Sequence, residues 1–415
     1  MTFPPLPSRT LSDGRAPADA TRVPQAPNGA AVPGVPRGLA APPELRPVDP
    51  ASVRRLLLIR PRFLGDVCLT LPTLDAARAA CPGARVAYVV EHDSAPLLEG
   101  DPRVDELIVV PRQLAAAGTA ALAARLRRFA PDVALDFFCN PRTAVWTLLS
   151  GARVRVGYPD KGVRSALYTH HARPRTLSAI GFHLESLRVL GWPAPHGVPR
   201  LHVSEARRTE ADAALRTLGV PDGARLVGMH PGARWPTRRW PIEHYIALAR
   251  RVVAAYDDVA VVFTAGPGEA AIAHEAASQI ARGWGFAAAE WPLARFVALQ
   301  SRCAAFVCGD TGPLHSAVAS GAPTLGLMSR NRPAMFFPYP ESHGHLAYYA
   351  RVECSPCHRD ECADLRCLTR LTVDGAFERL SAMLARGAAA PIGAPAPAAA
   401  AGLSTTPAGP PENTP

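Results

Sequence analysis

The 415-residue chain has no stretch of about eighteen strongly hydrophobic, charge-free residues, so a membrane-spanning helix is not expected. Its opening, Met1 to Arg15, lacks the basic-then-apolar order of an export signal, and translocation is not expected either. Met1–Pro50 holds no run of four consecutive apolar residues that reads as a strand. From about Ala388 to Pro415 nearly every residue is Ala, Pro, Gly, Ser or Thr. Neither end carries enough large side chains to offset the entropy of ordering it, so 1–50 and 388–415 read as disordered tails. The G-x-G-x-x-G fingerprint is missing from the turn after the first strand of either half, which argues against a nicotinamide-dinucleotide enzyme. An aromatic-interleaved basic stripe is also missing, and with it the case for a nucleic-acid groove.

What remains is long and apolar enough, at 48% hydrophobic, for two cores rather than one. The formal charge of +10 suits an anionic substrate or the anionic inner face of a membrane, and equally suits an arginine-rich composition with no partner behind it. Nine cysteines, an odd number, together with the absent export signal, point to a reducing compartment. Cys68, Cys81, Cys139, Cys303 and Cys308 stand mostly beside apolar residues, as reduced core cysteines do.

Short continuous apolar runs at Leu56–Ile59, Val86–Val90, Leu107–Val110, Val133–Phe137 and Val154–Tyr158 suit buried parallel strands. Helical stretches, Asp66–Ala80 and about Leu114–Phe129, fall between them. Gly191–Pro221, proline-bearing with a charged helical patch, reads as a link. The rhythm then restarts with strands at Leu226–His230, Val259–Thr264, Phe286–Ala289, Ala305–Cys308 and Thr324–Met328. A helix follows Pro241, its apolar face built from Ile242, Tyr245, Ile246, Leu248 and Ala249, and Thr372–Leu384 reads as a closing helix. The expectation is α/β: two doubly wound domains, 51–210 and 211–387, with ligands at the carboxyl ends of strands on facing surfaces.

Three loops carry chemistry. In R-P-R-F-L-G-D-V-C-L-T-L-P, residues 60–72, Gly65 allows a tight turn, and Asp66 either caps the following helix or serves as a base toward an acceptor hydroxyl. Arg60 and Arg62 are either acceptor-anion ligands or ordinary surface arginines. In M-H-P-G-A-R-W-P-T-R-R-W-P, residues 229–241, Gly232 and the amides after it can form an anion-binding turn, and Arg238 or Arg239 can contact phosphate oxygens. Trp235 and Trp240 either shape that pocket or cover the core. In C-G-D-T-G-P-L-H-S-A-V-A-S-G-A-P, residues 308–323, a small-residue helix can bring its N-terminal amides to a diphosphate. Asp310, Thr311, Gly312 and His315 stand beside them. The alternative there is a capped helix with a buried histidine. Glu269 is placed either to bind ribose hydroxyls or to favour a helix start through the dipole. Cys354, Cys357, Cys362 and Cys367 form C-x2-C-x4-C-x4-C, open to structural zinc, an iron–sulfur cluster, or reduced or disulfide-paired thiols.

In G-D-V-C-L-T-L-P, P-G-A-R-W-P-T-R-R-W-P, D-T-G-P-L-H and C-S-P-C-H-R-D-E-C…C, taken in this order, the chain resembles glycosyltransferase family 9. These are the ADP-heptose:lipopolysaccharide heptosyltransferases, and the resemblance is to the heptosyltransferase II branch in particular. It runs from about Arg54 to Leu384. It implies a GT-B fold with an acceptor-binding and a donor-binding Rossmann-like domain, and inverting, metal-independent transfer from ADP-heptose. The implied acceptor lies in the lipopolysaccharide inner core, at the cytoplasmic face of the inner membrane. The family's base falls on Asp66, with Arg60, Arg62 and Gly65 on the acceptor side. Its nucleotide-contacting glutamate falls on Glu269, and its D-T-G-x-x-H on Asp310, Thr311, Gly312 and His315. Its phosphate-binding lysine falls on Arg238, a departure that keeps the positive charge. No D-x-D pair stands where a metal-dependent transferase would need one, in line with that mechanism.

Overall fold

The computed structural model describes residues 47–159, 161–280, 283–285, 291–357 and 359–386. Of the expected tails only 47–50 fall inside this range. They are tied down: Val48 N donates to Leu190 O (3.0 Å), and Trp192 Nε1 donates to Val48 O (2.7 Å).

Leu-Leu-Leu-Ile has no polar residue to turn outward, so β1 (Arg55–Ile59) is fully buried after its first position. Around it lie α1 (Leu64–Ala80), β2 (Arg85–Glu91), β3 (Glu106–Val110), α2 (Ala116–Phe129) and β4 (Val133–Asp136). Then come α3 (Pro141–Leu149), β5 (Val154–Gly157), β6 (His170–His171) and α4 (Ala179–Arg188). After α5 (Glu205–Thr217) the second half runs β7 (Arg225–His230), α6 (Ile242–Ala255), β8 (Val259–Phe263), α7 (Ala270–Ser278), β9 (Gly283–Gly285) and α8 (Leu293–Gln300). It continues β10 (Cys303–Gly309), α9 (Gly312–Ala319), β11 (Thr324–Met328), α10 (Pro333–Phe336), β12 (Leu346–Tyr349), α11 (Arg366–Thr369) and α12 (Val373–Arg386).

Among the described residues the strands form two parallel six-stranded sheets, ordered β3-β2-β1-β4-β5-β6 and β12-β11-β10-β7-β8-β9. Counted from its own first strand, the second sheet has the order of the first. In each, the chain reverses direction beside the first strand, between β1 and β4 and between β7 and β10. Those switch points leave a crevice at the strands' carboxyl ends. The loops after β1, β7 and β10 therefore open onto the two crevices.

One face of the first sheet packs Leu57, Ile59, Val89 and Ala134 against α2 and α3. The other, with Leu56, Leu58 and Tyr88, joins a core that continues into Leu226, Phe306 and Leu314 of the second half. Helix α1 is enclosed by that core, and α4 and α9 pack on it, which explains why it is apolar nearly all round. A separate core of Val227, Val261, Phe263 and Leu325 lies under α6, α7 and α12.

The expected strand at Phe286–Ala289 lies outside the described residues except for its neighbour β9. The link 191–221 contains α5, capped by Ser204, and residue 210 falls inside that helix. Arg302 Nε pairs with Asp212 Oδ1 (2.8 Å), fastening α5 to the second half. β6, β12, α3 and α4 carry no run long enough to be read in the sequence.

Candidate active site

The loop after β1 is organised around Arg60. Only 8% exposed, it donates through Nη1 to Phe137 O (2.7 Å) and pairs through Nη2 with Asp66 Oδ1 (2.8 Å). Its guanidinium also lies 5.0 Å from the Phe138 ring centroid. In this arrangement Arg60 braces Asp66 against the turn after β4. Arg62 stacks on Phe63 (5.2 Å) and Phe138 (5.7 Å), with Nε buried and without a hydrogen-bond partner among the described residues.

Asp66 is the third residue of α1. The cap position is Phe63, which makes no side-chain cap bond, so helix capping does not account for Asp66. Its side chain is about one-third exposed, with Oδ1 engaged by Arg60. Behind it Asp136 accepts from Phe138 N and Cys139 N (both 2.9 Å) and from Tyr168 OH (2.7 Å). Burial raises its carboxyl above the usual range despite those donors. Asp136 fixes the turn that offers Phe137 O to Arg60. It was hidden in the sequence inside an apolar run.

In the second half β7 ends at His230, where Nδ1 is hydrogen-bonded to Thr264 Oγ1 (2.9 Å) and burial pushes the imidazole down to about 4. The next turn contains Gly232. A Cβ there would lie 2.0 Å from Glu269 Oε2, so the glutamate carboxylate folds directly over the turn. Glu269 occupies the cap position of α7 without a capping bond, and its Oε1 accepts from Arg239 Nη2 (3.3 Å). Glu269 thus stands at the start of α7, as the dipole reading has it, with its carboxylate also over the Gly232 turn. Trp240 is buried and donates to Leu371 O (2.8 Å), so it belongs to the core, while Trp235 is half-buried.

Arg238 crosses to the third loop, donating through Nη1 to Asp310 O (2.9 Å), with its buried Nε 3.9 Å from Asp310 Oδ2. Asp310 is 1% exposed, and its Oδ2 accepts from Asn331 Nδ2. Thr311 precedes α9 without a side-chain cap bond, so the first-turn amides of α9 are not satisfied by its hydroxyl. His315 is buried, with Nδ1 bonded to Tyr339 OH (2.7 Å). Burial lowers its pKa below the ordinary histidine value, Asp310 and Asp66 opposing and Arg238 assisting.

These three loops meet. A Cβ at Gly65 would stand 2.5 Å from His315 Cδ2 and 3.3 Å from Gly312 Cα, so the starts of α1 and α9 touch across the two halves. Arg234 adds a second crossing, 5.3 Å from the Phe63 ring. Asp66, Arg238, Asp310, Thr311, Gly312 and His315 are gathered at one place, with Gly232 and Glu269 on the adjoining turn. Sequence reasoning missed His230, Asn331 and Tyr339 as well as Asp136. His230 stood inside a motif already singled out; Tyr339, in F-P-Y-P, carried no signal.

The late cysteines follow β12. No disulfide joins them, and Cys362 Sγ turns to Asp364 O (3.0 Å). Among the described residues, which omit His358, no group of three or more His, Cys, Asp or Glu side chains is arranged to hold a metal ion. Of the readings left open for Cys354, Cys357, Cys362 and Cys367, a zinc site is not shown among the described residues, and burial with the other three thiols nearby raises the Cys367 thiol. The loop braces the segments after β7 and β11: Thr237 Oγ1 donates to Arg359 O (3.1 Å), and Arg330 pairs with Asp360 (2.5 Å). No helix among the described residues is long and apolar enough to cross a membrane.

The geometry has counterparts. Lipopolysaccharide heptosyltransferase 1 of Pseudomonas aeruginosa is 28% identical over 363 residues, covering 80% of this chain and 98% of that protein. A glycosyltransferase family 9 structure from Veillonella parvula superposes with a TM-score of 0.71 at 21% identity, covering 80% of this chain and 98% of that one. The E. coli ADP-heptose lipopolysaccharide heptosyltransferase II structure gives 0.67 at 22%, covering 80% and 99%. The two-sheet architecture is the GT-B fold of those structures. The family model for glycosyltransferase family 9 (heptosyltransferase) matches residues 119–367, more than half the sequence, and the chain belongs to that family of glycosyltransferases.

Proposed function

We propose that this enzyme transfers heptose from ADP-heptose to an inner-core lipopolysaccharide acceptor with inversion at the anomeric carbon. The carrying observation is that Gly65, next to Asp66 in the first half, stands against the Gly312–His315 start of α9 in the second, close enough for Asp66 to act on His315. In this reading residues 51–210 hold the acceptor and 211–387 the donor. The Asp66 oxygen not paired with Arg60 accepts the proton of the acceptor hydroxyl as that oxygen attacks the anomeric carbon. The bond from that carbon to the diphosphate oxygen breaks in the same displacement, so no covalent enzyme intermediate forms. Arg238, the α9 amides and His315 take up the charge appearing on the departing ADP, and Glu269 faces the ribose. Positive charge at the leaving group thus comes from the protein itself, as metal-independent transfer requires. Arg62 and the net charge of +10 favour an anionic, lipid-linked acceptor met at the cytoplasmic face of the inner membrane.

A second reading, another nucleotide sugar or a different acceptor, is favoured by Arg238 standing where the family pattern has lysine. Release of nucleoside diphosphate, measured over a panel of donors, separates the two: preference for a non-heptose donor would replace the first reading with the second. Asp66→Asn is expected to lower turnover by at least about 100-fold while nucleotide affinity is kept. Survival of turnover in that variant would remove Asp66 as the base.

A further inference from the structure

The His315 ring is held between two walls. On one side Nδ1 is bonded to the Tyr339 hydroxyl at 2.7 Å. On the other, Cδ2, the atom next to Nε2, lies against Gly65 in the first turn of α1, which also carries Asp66. Among the described residues Nε2 has no hydrogen-bond partner. Tyr339 is itself fixed: it is 6% exposed, with ring contacts to Phe337 (5.1 Å), His345 (5.8 Å) and His315 (6.1 Å).

A neutral imidazole has one donor nitrogen and one acceptor nitrogen, and which is which follows from the bond that one of them makes. Burial, with Cys68 and Asp310 nearby, drives the Tyr339 phenol well above its ordinary range, so it keeps its proton. Among the described residues, the partner for that proton is Nδ1 of His315. The ring proton then sits on Nε2. An anionic diphosphate in front of that nitrogen meets an N–H donor; in the other tautomer it would meet a lone pair.

We propose that Tyr339 is a positioning residue that fixes His315 as the Nε2–H tautomer, presenting a donor to the nucleoside diphosphate of the sugar donor. The proposal rests on the reading that His315 faces the donor, and its test keeps the two separable. Protein labelled with nitrogen-15 in histidine, with His315→Gln used to assign the resonance, reports the tautomer by long-range proton–nitrogen correlation without any turnover. Nε2–H is expected in the native enzyme, and a mixture of tautomers in Tyr339→Phe. Kinetically, Tyr339→Phe is expected to lower kcat roughly tenfold, as loss of one orienting hydrogen bond does, with the acceptor KM unchanged. In the His315→Gln background the same change should add nothing, because glutamine has no tautomer to fix. An Nδ1–H signal in the native enzyme overturns the proposal, as does an unchanged tautomer in Tyr339→Phe or an equal further loss in His315→Gln. If no nucleotide sugar supports transfer, the functional reading fails and the spectra still decide the role of Tyr339.

Discussion

A methyl group at Gly65 would have to share space with the His315 ring, whose Cδ2 lies 2.5 Å from where that carbon would be. The ring cannot retreat without breaking its bond to Tyr339. Gly65→Ala is therefore expected to leave the fold intact, displace His315 and lower turnover about 100-fold, since small misplacements at a reacting centre are costly. Turnover set beside the thermal midpoint checks this, and near-native turnover would show that the ring has room. Residue types alone made Gly65, Asp66 and His315 visible as candidates. They could not show that Arg60, expected on the acceptor, also donates to Phe137 O, because that partner follows β4, which only the fold lays beside β1.

At the scale of elements, β10 and the loop before α6 lie back to back. A Cβ on Gly309 would come 2.4 Å from the backbone oxygen of Arg238, and neither strand end nor loop backbone can yield as a side chain can. Gly309→Ala is expected to destabilise the protein by about 1–3 kcal/mol, as overpacking does, and to raise the donor KM by shifting Arg238 away from Asp310. Denaturant unfolding and donor titration measure the two effects; an unchanged KM would detach Arg238 from the donor. Strands such as β1 and β8 were legible because central parallel strands are buried on both faces and their sequences are continuously apolar. β6 is two residues long, and β12 is half-exposed, so neither imposes a pattern. α3 is announced mainly by its N-terminus, where Asn140 and Thr143 form a reciprocal capping box that no apolar period marks.

For the whole molecule, acid is the expected weakness. His230 and His345 are buried, and burial pushes both down to about 4. The unfolded chain takes up their protons near pH 6.5 and the folded one only near 4, so the unfolded state binds more protons between those values. The stability from keeping the two rings neutral is complete above about 6.5 and is lost as pH falls through the window, on the order of 3 kcal/mol for each ring. The thermal midpoint should drop between pH 7 and 4, and His345→Leu should flatten part of that slope; an identical slope would acquit His345. The sequence by itself determined two α/β halves and three chemistry-bearing loops, because hydrophobic period and glycine-bearing turns are local properties of the chain. Only the tertiary structure decided that a core shared by both halves brings α1 against α9, Asp66 beside His315, and Tyr339 behind it. Those are contacts between segments distant along the chain, and no local spacing encodes them.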